Sequence, residues 1–269
     1  MSKFITTNRH QQRLAIWVDN PTGKNGLVFI AHGLSSTHAH QHIEVYAQAF
    51  LQHDFVVVRH DATNSLGESG GELQDATLTN YYQDFEDVIA WASGQTWYRE
   101  PFWLAGHSLG GACNLLFTVK HPDKIRALAP TSAFLSGEIT LPAYGADTLA
   151  QWQKDGYRLE ESKTRPGVIK RFNWSLVEDL QKYDLLPQAH LITAPTLLIV
   201  GEHDPLTPVA SQQQLYATLA SADKELHIIQ GAPHTYMSAE HLREVQQIMS
   251  QWLESTLSED GAHHQTAQR

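Results

Sequence analysis

Short, continuous apolar runs alternate along this chain with longer stretches in which apolar residues recur every three or four positions. The runs at 27–31, 55–58, 102–105, 127–129, 196–200 and 226–229 lack strict polar alternation, as expected of parallel strands covered on both faces. Between 77 and 93, Leu78, Tyr81, Tyr82, Phe85, Val88, Ile89 and Ala92 form a stripe that predicts a helix with one face on a core. Leu242, Val245, Ile248, Met249, Trp252 and Leu253 repeat that stripe near the C-terminus, with Ser238 placed to cap it. The segments 3–6 and 13–18 are expected to add antiparallel edge strands. Strands alternating with helices predict an α/β fold, a mostly parallel central sheet flanked by helices.

Residues 132–190 break this rhythm. They carry Phe134, Tyr144, Trp152, Tyr157, Phe172 and Trp174 amid mixed charge, with no clear alternation of strand and helix. A structureless loop of about 60 residues is rare inside a compact domain. The segment is therefore read as an inserted cap or lid subdomain, with the core built from 1–131 and 191–257. The polar tail 258–269 has no apolar anchor and is expected to be disordered.

Composition narrows the classes of function. With 42% hydrophobic and 18% charged residues the chain has the make-up of a folded globular protein. A net charge of −10 argues against a nucleic-acid partner, which needs a basic face. The single cysteine, Cys113, excludes an internal disulfide and a multi-cysteine metal site, and it fits a reducing compartment. The N-terminal residues lack the apolar core and small-residue cleavage site of a secretory signal, and no run approaches the roughly 20 residues of a membrane span. The expectation is a soluble, cytoplasmic protein. No feature of the sequence sets an oligomeric state.

The most informative chemistry lies at Gly106-His107-Ser108-Leu109-Gly110, a G-x-S-x-G preceded by an apolar strand and followed by a helix-like run. A strand that turns sharply into a helix forces the central residue into a strained conformation and leaves room only for glycine two positions either side. Ser108 Oγ then stands out at the C-terminal edge of the sheet, and the Leu109 N–H lies at a helix N-terminus, where it can bind a developing oxyanion. Gly67-Glu68-Ser69-Gly70-Gly71 matches the same pattern without the flanking strand and helix, so Ser69 is read as part of a glycine-rich loop.

A serine hydroxyl needs a base to become a nucleophile. Of 16 histidines, His234 follows the run 226–229 and precedes the last helix, which places it at the same sheet edge. Asp204 sits just beyond the run 196–200 and can hold the imidazole in the right tautomer. Glu202 is the alternative acid, and Asp204 could instead serve only as a turn-former before Pro205. The order Ser…Asp…His, each after a different predicted strand, is the one that accompanies a nucleophile elbow.

Taken together, GHSLGG at 106–111, GEHDPLTP at 201–208 and GAPHT at 231–235 resemble the α/β-hydrolase superfamily, over nearly the whole chain except the insertion and tail. His32-Gly33-Leu34 resembles that family's HG oxyanion motif. The resemblance implies a second oxyanion N–H from Leu34 and a structural His32 that braces the loop. The segment 61–71 resembles the family's D-x-x-G-x-G-x-S loop, with Asn64 where the first glycine would fall. Within the superfamily the resemblance is closest to small cinnamoyl/feruloyl-esterase-like enzymes and to serine aminopeptidase-like hydrolases. It implies a serine hydrolase acting on small acyl or aryl carboxylic esters, with no metal or organic cofactor. Thioesterase, peptidase and C–C hydrolase activities share the same machinery, and a ligand-binding member without catalysis is the rival from another class. His38-Ala-His40-Gln-His42 carries no H-E-x-x-H glutamate or third ligand and is read as an exposed polar helix start.

Overall fold

Within each apolar run, successive residues feed two different cores. In the computed structural model, which describes residues 1–162 and 167–266, Leu27, Phe29 and Ala31 join one hydrophobic cluster while Val28 and Ile30 join another. The two clusters lie on opposite faces of one sheet, because successive side chains of a strand point to opposite faces. That is why these runs read as continuous rather than alternating.

The strands are β1 (Ser2–Thr7), β2 (Arg13–Asp19), β3 (Gly26–Ala31), β4 (Phe55–Asp61) and β5 (Phe102–His107). They are followed by β6 (Ile125–Thr131), the short β7 (Tyr157–Glu161) and β8 (Ile169–Asn173), then β9 (Thr196–Gly201) and β10 (Lys224–Ile229). Eight of them form the central sheet in the order β1-β2-β4-β3-β5-β6-β9-β10, with β4 to β10 parallel and β1 and β2 antiparallel. Of the two expected edge strands only β1 lies at the edge. β2 pairs with β1 on one side and β4 on the other, and its side chains are accordingly buried from Leu14 onward.

The helices are α1 (Gln41–Gln52), α2 (Leu78–Ala92), α3 (Leu109–Lys120) and the single turn α4 (Gly137–Thr140). After them come α5 (Ala146–Asp155), α6 (Ser175–Leu180), α7 (Val209–Thr218) and α8 (Ala239–Thr266). Helices α1 and α8 cover one face and α2, α3 and α7 the other. The predicted cap forms, with Ser238 Oγ accepting the His241 N–H at 3.0 Å, and at the start of α2 Thr77 Oγ1 accepts the Asn80 N–H at 3.0 Å. The tail departs from expectation, since α8 continues from its apolar stripe through Thr266 and only 267–269 lie outside the described residues. Once a helix is nucleated each further residue adds one backbone bond, and nothing in 258–266 is a proline that would stop it.

The stretch between β6 and β9 folds into α4, α5, the antiparallel hairpin β7–β8 and α6, linked by short 3₁₀ turns. Its aromatics pack mostly on one another. Trp152 and Phe172 are buried, the Trp152 Nε1–H donates to the Phe172 carbonyl at 2.9 Å, and Tyr144 and Trp174 meet the Trp152 ring edge-on. Asp179 ties this stretch to α2 by accepting from the Thr79 N–H and hydroxyl. Among the described residues no helix is long and apolar enough to cross a membrane.

Candidate active site

In parallel α/β sheets, ligand sites form beyond the carboxyl ends of the strands. Here the segments leaving β3, β4, β5, β9 and β10 carry His32–Leu34, the 62–71 loop, Ser108, Asp204 and His234. Ser108 directly follows β5 and holds the N-cap position of α3 with φ +57° and ψ −116°, a left-handed φ that a serine adopts only under constraint. The constraint is the close approach of its flanking glycines. A Cβ on Gly106 would lie 2.6 Å from the Gly110 backbone, and one on Gly110 would lie 2.1 Å from the Ala31 carbonyl oxygen. The Ser108 side chain caps no helix N–H and, among the described residues, makes no hydrogen bond. Its hydroxyl is thus unspent.

The loop after β3 packs against this turn, with a Cβ on Gly33 falling 3.0 Å from Ser108 Cβ. Among the described residues, neither the Leu34 N–H nor the Leu109 N–H is taken by an acceptor of the protein. His32 braces the loop as expected. Its Nε2 accepts the Ala62 N–H at 3.0 Å, so the proton sits on Nδ1 and is donated to the Gly33 carbonyl at 2.8 Å. Burial lowers the His32 pKa, which keeps this tautomer neutral.

Asp204 and His234 meet. His234 Nδ1–H donates to Asp204 Oδ2 at 2.7 Å. Asp204 Oδ1 accepts the Leu206 and Thr207 N–H groups at 2.9 Å each, and Oδ2 also takes the Thr207 hydroxyl at 2.6 Å. Burial alone would raise the Asp204 pKa, but the His234 and Thr207 hydrogen bonds outweigh it and hold the carboxyl well below the usual carboxylate range. Glu202, the alternative acid, is exposed and accepts the Gly231 N–H at 2.8 Å, which pins the turn rather than the imidazole. Ser108 Oγ and the His234 ring share the same sheet edge, but among the described residues no hydrogen bond joins them.

Ser69 and His38 are engaged elsewhere. Ser69 Oγ donates to the Asp61 carbonyl and accepts the Ala15 N–H at 2.9 Å, so it stitches the 62–71 loop to β2. Asn64, where the motif has its first glycine, adopts φ +59°, a left-handed region that asparagine tolerates. The expected exposed start of α1 is instead inside. His42 is buried with its ring centroid 4.3 Å from that of His107, and His38 stacks on Trp17 at 3.3 Å while its Nδ1–H donates to Asp61 at 2.9 Å. Helix α1 begins only at Gln41, so its first turn directs His42 inward while His38 and His40 stay in the preceding loop. Burial resists ionisation of Asp61, yet hydrogen bonds from His38 and from the Glu68 N–H bring its pKa down to about 2. Among the described residues no group of three or more His, Cys, Asp or Glu is arranged to hold a metal ion.

Two contacts escaped the sequence reading. His107 Nε2–H donates to the His234 carbonyl oxygen at 2.7 Å, and the Tyr236 hydroxyl donates to the Ile199 carbonyl at 3.0 Å. The available signal for the first was a polar residue ending an otherwise apolar strand. A groove of about 690 Å³ runs between α4, α5 and α6, walled by Leu141, Leu149, Trp174 and Val177.

A parallel sheet with a serine in a left-handed strand-to-helix turn, and an Asp–His pair on later loops, defines an α/β hydrolase. Residues 22–241 match the family Hydrolase_4, described as serine aminopeptidase, S33, and the chain belongs to it. It is similar to the monoacylglycerol lipase of Mycolicibacterium smegmatis, 25% identical over 274 residues covering 90% of this chain and 92% of that one. The mitochondrial palmitoyl-protein thioesterase ABHD10 of mouse is 21% identical over 216 residues, 78% of this chain and 68% of its own. The fold matches that of Est1E from Butyrivibrio proteoclasticus bound to ferulic acid, with a TM-score of 0.77, 19% identity and coverage of 95% and 99%.

Proposed function

We propose that this hydrolase cleaves carboxylic esters of small acyl or aryl groups through Ser108, His234 and Asp204. The observation that carries the reading is the part-buried Asp204–His234 hydrogen bond at the same sheet edge as a serine whose hydroxyl is unengaged. Ser108 Oγ attacks the acyl carbonyl while His234 Nε2 takes its proton. Asp204 keeps the proton of the resting imidazole on Nδ1 and stabilises the imidazolium. The base needs to come within about 2.6–3.2 Å of the hydroxyl only in the reacting complex. Leu34 and Leu109 N–H groups receive the tetrahedral oxyanion, each donor being worth about 10²–10³ in rate. His234 then protonates the leaving alcohol, and a water activated by the same ring releases the acyl group.

The groove walled by Leu141, Leu149, Trp174 and Val177 supplies apolar surface for the acyl or aryl part, with the 132–190 segment acting as cap. The ester-cleaving names among the relatives support this reading, and the thioesterase among them makes thioester cleavage the second one. A matched panel of short-chain aryl ester, acyl thioester and aminoacyl anilide separates them. The ester is expected to turn over fastest and the anilide slowest; an anilide cleaved faster than the ester would overturn the assignment in favour of a peptidase.

Ser69 provides an internal control. Ser69→Ala is expected to leave ester turnover at the level of the unmodified chain and to lower the melting temperature. The lost hydrogen bonds of a half-buried hydroxyl cost about 1 kcal/mol. A parallel kinetic assay and thermal melt check this, and loss of turnover in a folded protein would give Ser69 a role it lacks here.

A further inference from the structure

His107 stands one peptide bond from Ser108, yet its side chain reaches across to the loop that carries His234. The His234 carbonyl oxygen can only accept, so the 2.7 Å contact fixes the proton of the neutral His107 ring on Nε2. The ring is 2% exposed, with centroids 4.7 Å from His234, 4.3 Å from His42 and 5.8 Å from Tyr236. Burial, reinforced by His234 nearby, pushes the His107 pKa down to about 3. A neutral ring keeps its single donor throughout the neutral pH range.

The partners of this bond are 127 residues apart in the chain. No hydrogen bond runs directly from Ser108 Oγ to His234 among the described residues, so the relative placement of the two depends on how their backbones are held. A route between those backbones consists of one peptide unit, about 3.8 Å from Cα to Cα, and the His107 hydrogen bond. Tyr236 anchors the same loop by a different route. Its hydroxyl donates to the Ile199 carbonyl of β9 and meets Ser132 Oγ at 2.9 Å, which ties the loop to β9 and the end of β6 but not to β5.

We propose that His107 is a positioning residue whose Nε2–H sets the distance between the His234 backbone and Ser108. The proposal rests on the reading of Ser108 as nucleophile and His234 as base. His107 touches neither substrate nor transferred proton. Its effect is on the fraction of time the base stands in reach, and a displacement of about 1 Å at such a site costs about 10²-fold in rate.

Two variants and one spectrum test it. His107→Leu removes the donor and keeps apolar bulk, while His107→Gln restores an N–H donor at the end of the side chain. The Leu variant is expected to lose about 10²-fold in kcat with KM unchanged, and the Gln variant to recover most of that loss. A folded Leu variant with full kcat, or a Gln variant no better than Leu, would overturn the proposal. If the Leu variant fails to fold, ¹⁵N spectra of the histidines in the unmodified protein decide. They should show one ring locked as the Nε2–H tautomer from about pH 5 to about pH 9, absent in the Gln variant. A His107 ring found as Nδ1–H, or titrating in that window, sinks the idea. Phosphonylation of Ser108 in the unmodified protein separates this from the broader reading. An unreactive Ser108 removes the nucleophile itself, whereas a reactive Ser108 that is indifferent to His107→Leu removes only the positioning role.

Discussion

Ser108→Ala is expected to lower kcat on a short-chain chromogenic ester by about 10⁴–10⁶-fold while leaving the fold intact. Removing Oγ deletes the atom that forms the acyl bond, and the serine of the second G-x-S-x-G, Ser69, cannot take its place because its hydroxyl is committed to Ala15 and Asp61. The stability cost is small for a reason visible in the turn. The Ser108 side chain caps no N–H and makes no hydrogen bond among the described residues, so alanine leaves no buried partner unsatisfied. The strained φ of +57° is borne by the backbone in both proteins. Paired kinetics and thermal melts check both halves, and substantial residual turnover in the folded variant would remove Ser108 from the mechanism.

Asp204→Asn should cost about 10⁴-fold in kcat, through the tautomer of His234 rather than through loss of structure. Oδ1 already accepts the Leu206 and Thr207 N–H groups, so the amide oxygen of asparagine takes that place. The amide nitrogen then lands where Oδ2 now receives His234 Nδ1–H. Two donors cannot face one another, so the imidazole proton moves to Nε2, and the nitrogen meant to accept from Ser108 becomes a donor. The Thr207 hydroxyl, which now donates to Oδ2, must also turn. An Asp204→Asn variant with near-normal kcat would mean that the 2.7 Å contact orients the loop only. Glu202→Gln supplies the contrast, because Glu202 bonds the Gly231 N–H and not the imidazole, and it should leave kcat nearly unchanged.

Much of this architecture was legible because its causes are local. The six parallel strands each announce themselves as an apolar run, since both faces are covered, and the α2 stripe from Leu78 to Ala92 falls where the 3.6-residue period puts it. Ser108 was readable because the elbow's steric demands are written in its own neighbours, Gly106 and Gly110. Asp204 and His234 were readable as the polar residues that leave two of those strands.

What escaped depends on residues distant in sequence. His42 looks polar and exposed until β5 brings His107 against it, and β2 looks like an edge until β1 pairs outside it. The hairpin β7–β8 mixes apolar and polar residues on each face, with Leu159 and Ile169 outward and Lys170 and Phe172 inward, so apolarity does not mark its buried face. The apolar stripe of α8 stops near Leu257, whereas the helix itself continues to Thr266.

One rate measurement bears most directly on whether Ser108, His234 and Asp204 work as a unit. Timed reaction with a fluorophosphonate, followed by intact mass and peptide mapping, should give one adduct per chain at Ser108. The same reaction should slow by orders of magnitude in His234→Ala and in Asp204→Asn. An adduct on a different residue, or a Ser108 adduct formed equally fast in all three proteins, would show a hydroxyl that owes its reactivity to neither partner.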